Sequence, residues 1–244
     1  MSDLLAFPRF DVPRAGRALA TLLRDPDDLP QVFTLIEALS GFAPHRLLLG
    51  FRRSEAGARL LREQPDIVPR LTDRDALRAL PAGSHGRAYL AFVESEGITP
   101  EGIRTASLEG YTHGARPDAF AYLHLRMRDT HDLWHAATGY RGDVLGELAL
   151  LAFTLAQNWN TGVALIIVAG LIKGFGGGHA TVVLDGYRRG RAAAYLPVQD
   201  WETLLALPLS EVRARLRLGE TPVYTPVRTS DLRAEGIVLA AHRG

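Results

Sequence analysis

Four residues, His131, Asp132, His135 and Glu147, have the types and spacing of a divalent-metal site. On a helix, residues four apart stack on one face, so His131 and His135 point the same way. Asp132 is turned about 100° from His131 but only about 60° from His135, so the three polar groups share one side. Two imidazoles at this spacing form a bidentate grip on a metal ion. Glu147 follows His135 after eleven residues. On one continuous helix it would lie about 18 Å further along the axis, out of reach. Gly139 and Gly142 intervene, however, and Asp143 is a suitable N-cap for a new helix. A hairpin at that turn brings Glu147 back beside the histidines. Between Val144 and Ile172, Glu147 is the only charged residue. A carboxylate among apolar neighbours needs a partner. A metal held by the histidines is one; Arg126, Arg128 or Arg141 is the rival. Asp132 is also the candidate catalytic residue, because the histidines and Glu147 supply three ligands without it.

The elements that must position these residues are helical throughout. Helices are expected at Val12 to Leu23, Leu29 to Leu39, Arg46 to Glu63, Thr72 (as N-cap) to Leu80, and Ser84 to Glu96. Gly97 to Pro117 reads as irregular. Asp118 to Thr138 reads as one amphipathic helix carrying the HDLWH segment, and Val144 towards Trp159 as its partner. Asn158, Asn160 and Gly162 interrupt that partner before the apolar run Val163 to Ile172. The glycines from Gly174 to Gly178 precede a helix through Arg191, and Trp201 to Leu218 is a last amphipathic helix. Strand signals are few. The pattern predicts an all-α, single-domain multi-helix fold with a metal site on a helix hairpin. Residues 1–218 are expected to form an all-helical metal- and lipid-binding domain, and 219–244, with Pro222 and Pro226, an extended tail.

Composition narrows the chemistry. There is no cysteine, which excludes disulfides, a thiolate nucleophile and thiolate zinc ligands, so any metal is held by nitrogen and oxygen. A net charge of +1 gives no reason to expect nucleic acid. Lys173 is the only lysine, a bias that carries no function. Met1 to Phe10 lacks a signal-peptide pattern, so a cytoplasmic protein is expected. No run of 18 apolar residues suggests a spanning helix, and Val163 to Ile172 suits a buried helix or the wall of a lipid pocket. His124, on the same face as His131, reads as packing or support for the ligands, and His179 as a solvated loop residue. The Gly174 to Gly178 cluster lacks the strand and Lys-Ser/Thr of a phosphate loop. Arg188, Arg189 and Arg191 read as a solvated helix end or a contact for anionic lipid headgroups.

HDLWH followed by eleven residues and Gly146-Glu147 resembles the signature of the coenzyme Q biosynthesis protein four family. Arg126, Arg128 and Asp129 before it fit the same pattern. So do Gly57, Leu60-Leu61 and Pro65, the stretch Leu80 to Ser84 with Gly86-Arg87 and Tyr89-Leu90, and Trp201-Glu202. Ala82 stands where that family carries an acidic residue. The resemblance spans Leu35 to Leu218. It implies an all-helical fold with a metal, zinc by resemblance and iron or manganese as alternatives, on His131, Asp132, His135 and Glu147. It further implies a homodimer peripherally associated with the inner membrane, a polyprenyl-lipid substrate, and other ubiquinone biosynthesis proteins as partners. The expected function is metal-dependent, oxidative decarboxylation of a polyprenyl-hydroxybenzoate. Two alternatives stand beside it. One is a non-catalytic prenyl-lipid scaffold that organises the biosynthetic enzymes. The other is a metallohydrolase with Asp132 as base.

Overall fold

The computed structural model describes residues 10–110, 119–173 and 178–237. The chain opens with α1 (Val12–Leu22) and α2 (Leu29–Ala38), built alike. Asp11 and Asp28 accept from the backbone N–H of Arg14 and Gln31, and a proline sits in each first turn. The element read from Arg46 to Glu63 is two helices, α3 (Ala43–Arg52) and α4 (Glu55–Glu63). Ser54 is extended between them and caps α4 through the Gly57 N–H. Then come α5 (Val68–Thr72) and α6 (Arg74–Ala79), the latter capped by Asp73 rather than Thr72. Helix α7 (His85–Glu96) runs from its Ser84 cap to Gly97, which is left-handed at φ 65°.

Three further expectations fail locally. The stretch read as irregular contains α8 (Pro100–Gly110); Thr99 caps it through the Gly102 N–H, and Pro100 fits a first turn, where no N–H is needed. Residues 111–118 lie outside the described residues. The helix expected from Asp118 to Thr138 is α9 (Ala119–Asp129) and α10 (His131–Thr138), broken at Thr130, whose hydroxyl donates back to the Arg126 carbonyl at 2.8 Å. The last amphipathic helix is split by Pro208 into α14 (Trp201–Leu204) and α15 (Leu209–Leu216), numbered after the central helices.

Those central helices are α11 (Val144–Gln157), α12 (Thr161–Lys173) and α13 (Gly178–Ala192). The other glycines of the 174–178 cluster lie outside the described residues. Helix α13 lies closely along α11 because it meets it with glycines: a Cβ at Gly186 or Gly190 would overlap the Ala149 or Phe153 carbonyl oxygen. A 3-10 turn, Leu196–Val198, leads to α14. After Gly219 the chain is non-helical to Arg228, where the extended tail ends in a short helix, α16 (Thr229–Ala234). Among the described residues there is no strand, only the isolated bridge between Ser84 and Pro208, so the fold is all-α as the periodicity requires. No single described helix is long and apolar enough to cross a membrane.

The largest core cluster packs α7, α10, α11, α14 and α15 around Tyr89, Trp134, Phe153 and Trp201, each 1% exposed or less. A smaller one, with Leu145, Leu148, Val163, Ile167 and Leu232, joins α11 and α12 to the tail.

Candidate metal centre

The turn between α10 and α11 closes as its residue types require. Gly139 ends α10 at φ 85°, and its N–H bonds to the His135 carbonyl at 2.8 Å. Asp143 starts α11, its Oδ1 accepting from the N–H of Leu145 and Gly146. Glu147, in the first turn of α11, thereby comes back to the histidines. His131 Nε2 lies 3.4 Å from Glu147 Oε2, and His135 Nε2 lies 3.1 Å from Glu147 Oε1. The two Nε2 atoms are 3.2 Å apart. These three residues each offer a ligand atom within 4.8 Å of the others. Asp132 is not part of that cluster. It is 5% exposed and, with His131 and Glu147, lines a large cavity.

The donor set fits a metal. Atoms held 2.0–2.1 Å from a tetrahedral ion are about 3.3 Å from one another, close to the separations of the three donor pairs here. His135 places Nδ1 3.0 Å from the Tyr140 carbonyl. Donation there leaves the Nε2 lone pair free for an ion, and Phe92, stacked on the ring at 4.8 Å and 12°, holds its plane. Two of the three arginine rivals are engaged elsewhere. Buried Arg126 pairs with Glu202, Nη2 to Oε2 at 2.7 Å, and Arg128 pairs with Asp129 at 2.7 Å. Arg141 is exposed.

Electrostatics without an ion follow from this geometry. Burial pushes His135 down, but the Glu147 carboxylate, then Asp132 and the Tyr140 carbonyl, outweigh it and raise the imidazole to about 9. Burial pushes Glu147 up, yet the two histidines hold it well below the usual carboxylate range. The Glu147 side chain is 42% accessible, but it lines a cavity and what it faces there is that space. Asp132 is raised, first by burial and then by Glu147, against the pull of the histidines.

That cavity measures about 1410 Å³, beyond the ~300–1,000 Å³ usual for a small-ligand site. Its walls are largely apolar: Leu148, Leu151, Val163 and Ile166 of α11 and α12 face Ile36 and Val32 of α2. His124 lines it beside Ser107, and burial lowers its imidazole to about 4. His179 sits in the first turn of α13 and is not among the lining residues. Arg189 is no headgroup contact: it turns inward to the carbonyls of Thr138, Leu218 and Glu220 and over the Tyr140 ring. Sequence reasoning missed Phe92 and Tyr140, which hold His135. It also missed Tyr224 and Val227 of the tail, which donate to Asp143. Only Asp143 itself carried a readable signal.

Comparisons with known proteins agree with this architecture. Residues 12–222 match the family model described as coenzyme Q (ubiquinone) biosynthesis protein Coq4. The mitochondrial ubiquinone biosynthesis protein COQ4 of Pyricularia oryzae is 34% identical over 195 residues, covering 78% of this chain and 59% of that protein. The chain thus spans less than two thirds of that relative's length. The corresponding protein of Arthroderma otae is 30% identical over 220 residues, covering 87% and 79%. A solved structure from Nostoc punctiforme, described as a candidate ubiquinone biosynthesis protein, shares the fold. Its TM-score is 0.65 at 23% identity, covering 86% of this chain and all of that one. The chain belongs to the coenzyme Q (ubiquinone) biosynthesis protein Coq4 family.

Proposed function

We propose that this ubiquinone biosynthesis protein carries out a metal-dependent, oxidative decarboxylation of a polyprenyl-hydroxybenzoate. The observation that carries the reading is the position of Glu147, which both faces His131 and His135 and lines the large apolar cavity. A bound divalent ion, zinc by resemblance or iron or manganese, would supply a Lewis acid for the substrate's carboxylate or phenolate oxygen. His131, His135 and Glu147 would hold it. The Tyr140 carbonyl and the Phe92 ring keep His135 in the orientation that ligation needs. Leu148, Leu151 and Ile166 give a prenyl tail an apolar wall and exclude water from the polar end. Asp132, its carboxyl raised by burial, is suited to hold a proton beside the reacting ring. In the reaction the ring-to-carboxylate bond breaks with release of carbon dioxide, and a carbon–oxygen bond forms at the same ring atom. This two-electron oxidation draws on an external oxidant such as dioxygen.

Exposed Val168 and Ile172 of α12, next to Leu19 and Leu23 of α1, add an apolar outer face that supports action at a membrane surface, where such a lipid resides. The size of the cavity equally favours a second reading, a prenyl-lipid scaffold without catalysis. Asp132→Asn separates them. The carboxylated intermediate is followed by mass spectrometry in a strain lacking the endogenous activity. The enzyme reading expects turnover to fall roughly 10²–10⁴-fold, with the protein still folded. Full rescue at matched expression would leave only the scaffold.

A further inference from the structure

The segment after Gly219 lies almost wholly beyond the residues that match the family model, which end at 222. It nevertheless touches the turn that presents Glu147. Tyr224 Oη donates to Asp143 Oδ2 at 2.9 Å and accepts from the Arg141 N–H at 2.9 Å. The Val227 N–H donates to Asp143 Oδ1 at 2.8 Å, and the Val144 N–H to the Val227 carbonyl at 2.9 Å. Asp143 is 2% exposed, and the same Oδ1 caps α11 through Leu145 and Gly146. Its carbonyl receives the Glu147 N–H at 2.8 Å. The close approach is built in, because a Cβ at Gly146 would overlap Tyr224 Oη. Farther along, Arg228 pairs with Glu96, Thr229 bonds to Asp27, and buried Leu232 joins the core of α11 and α12, so the segment is also fastened on the C-terminal side of Tyr224 and Val227.

We propose that Tyr224 is a positioning residue of the centre: through Asp143 it fixes the first turn of α11, and with it the Glu147 carboxylate opposite the two histidines. The inference rests on the metal reading for its consequence, though not for its geometry. A capping carboxylate whose second oxygen is held from the tail cannot swing, and the turn it caps keeps its register. Partners one step removed from a ligand typically contribute 10–100-fold to metal affinity. Tyr224 acts through backbone, so the low end, about tenfold, is expected.

The test is Tyr224→Phe, which removes one oxygen and keeps the ring. Two measurements are made on the full chain: Zn²⁺ affinity by competition with a chromophoric chelator, and amide hydrogen exchange by NMR on metal-free protein. Expected are about tenfold weaker Zn²⁺ binding and faster exchange at Leu145, Gly146 and Glu147, with unchanged exchange from Leu150 to Gln157. Unchanged exchange at those three amides overturns the proposal, whatever the metal does. Faster exchange with wild-type Zn²⁺ affinity also overturns it, reducing Tyr224 to a structural cap. A wild-type chain that takes up no Zn²⁺ would sink the metal reading alone, and the exchange result would still decide whether Tyr224 sets the turn.

Discussion

His85 and His135 are equally sealed, at 0% and 1% exposure, yet their surroundings drive them in opposite directions. His85 sits in the packed side of the molecule. Its Nε2 meets the Leu133 carbonyl at 3.1 Å and its ring leans on Trp201. Burial, aided by Arg213, lowers it to about 4, so it stays neutral and holds α10 to α7. His135 is on the same helix pair but turns toward the hollow side, where Glu147 and Asp132 raise it to about 9. Helix α11 shows the same division. Ala149 and Phe153 lie against the glycines of α13, while Leu148 and Leu151 border empty space. On the packed side the buried charge of Arg126 is matched by Glu202. The hollow side gathers charged groups around a space that a ligand can enter.

The largest effect should come from filling the packed side. Gly186→Leu drives a side chain into the Ala149 backbone and is expected to cost about 5 kcal/mol or more, leaving little folded protein. A soluble variant with wild-type melting would show that the two helices are not so close. Next is a pair of truncations on the two faces of α11. Phe153→Ala should cost about 3–5 kcal/mol by opening a hole in a close-packed core. Leu151→Ala, on the cavity wall, should cost only about 1 kcal/mol, because its neighbours already leave space. Urea denaturation giving equal losses would abolish the distinction.

The smallest effect is a pH dependence of chelator-treated protein. His135 is raised above its ordinary 6.5, so its contribution is complete below 6.5 and lost as pH rises through about 9. His85 is depressed, so its contribution is complete above 6.5 and lost as pH falls toward about 4. Stability should therefore peak near 6.5 in the metal-free chain, within the range set by these two groups. Glu147→Gln should flatten the alkaline limb and leave the acid limb intact down to about 4.5, below which Glu147 itself contributes. Identical limbs in both proteins would mean that Glu147 does not govern His135.

The site was more legible than the volume around it. His131, His135 and Glu147 could be brought together on paper because i,i+4 spacing, a glycine turn and an Asp cap are local rules. Helix breaks were less legible. Thr130 has ordinary helical credentials, and only its hydroxyl's bond to Arg126 explains the kink. The Pro208 break and the Thr99-Pro100 start were present as signals, but the surrounding periodicity masked them. The apolar run Val163 to Ile172 suggested one wall of a pocket, but the opposite wall and the Tyr224 contact could not be read, since they join residues roughly eighty positions apart or more, such as Ile36 to Ile166 and Asp143 to Tyr224. No periodicity in one segment reports how far another stands from it.

Occupancy of the cavity would link the amount of this protein in a cell to the supply of its guest. A ligand present at a hundred times its dissociation constant adds about 2.7 kcal/mol to the folded state. Proteases that remove unfolded chains convert a change of roughly 1–2 kcal/mol into a several-fold change in abundance. With a guest bound in that space of about 1410 Å³, the chain would be degraded faster when the guest is scarce and would accumulate when it is plentiful. Lipid supply would then set the protein's lifetime directly, with no transcriptional signal between them.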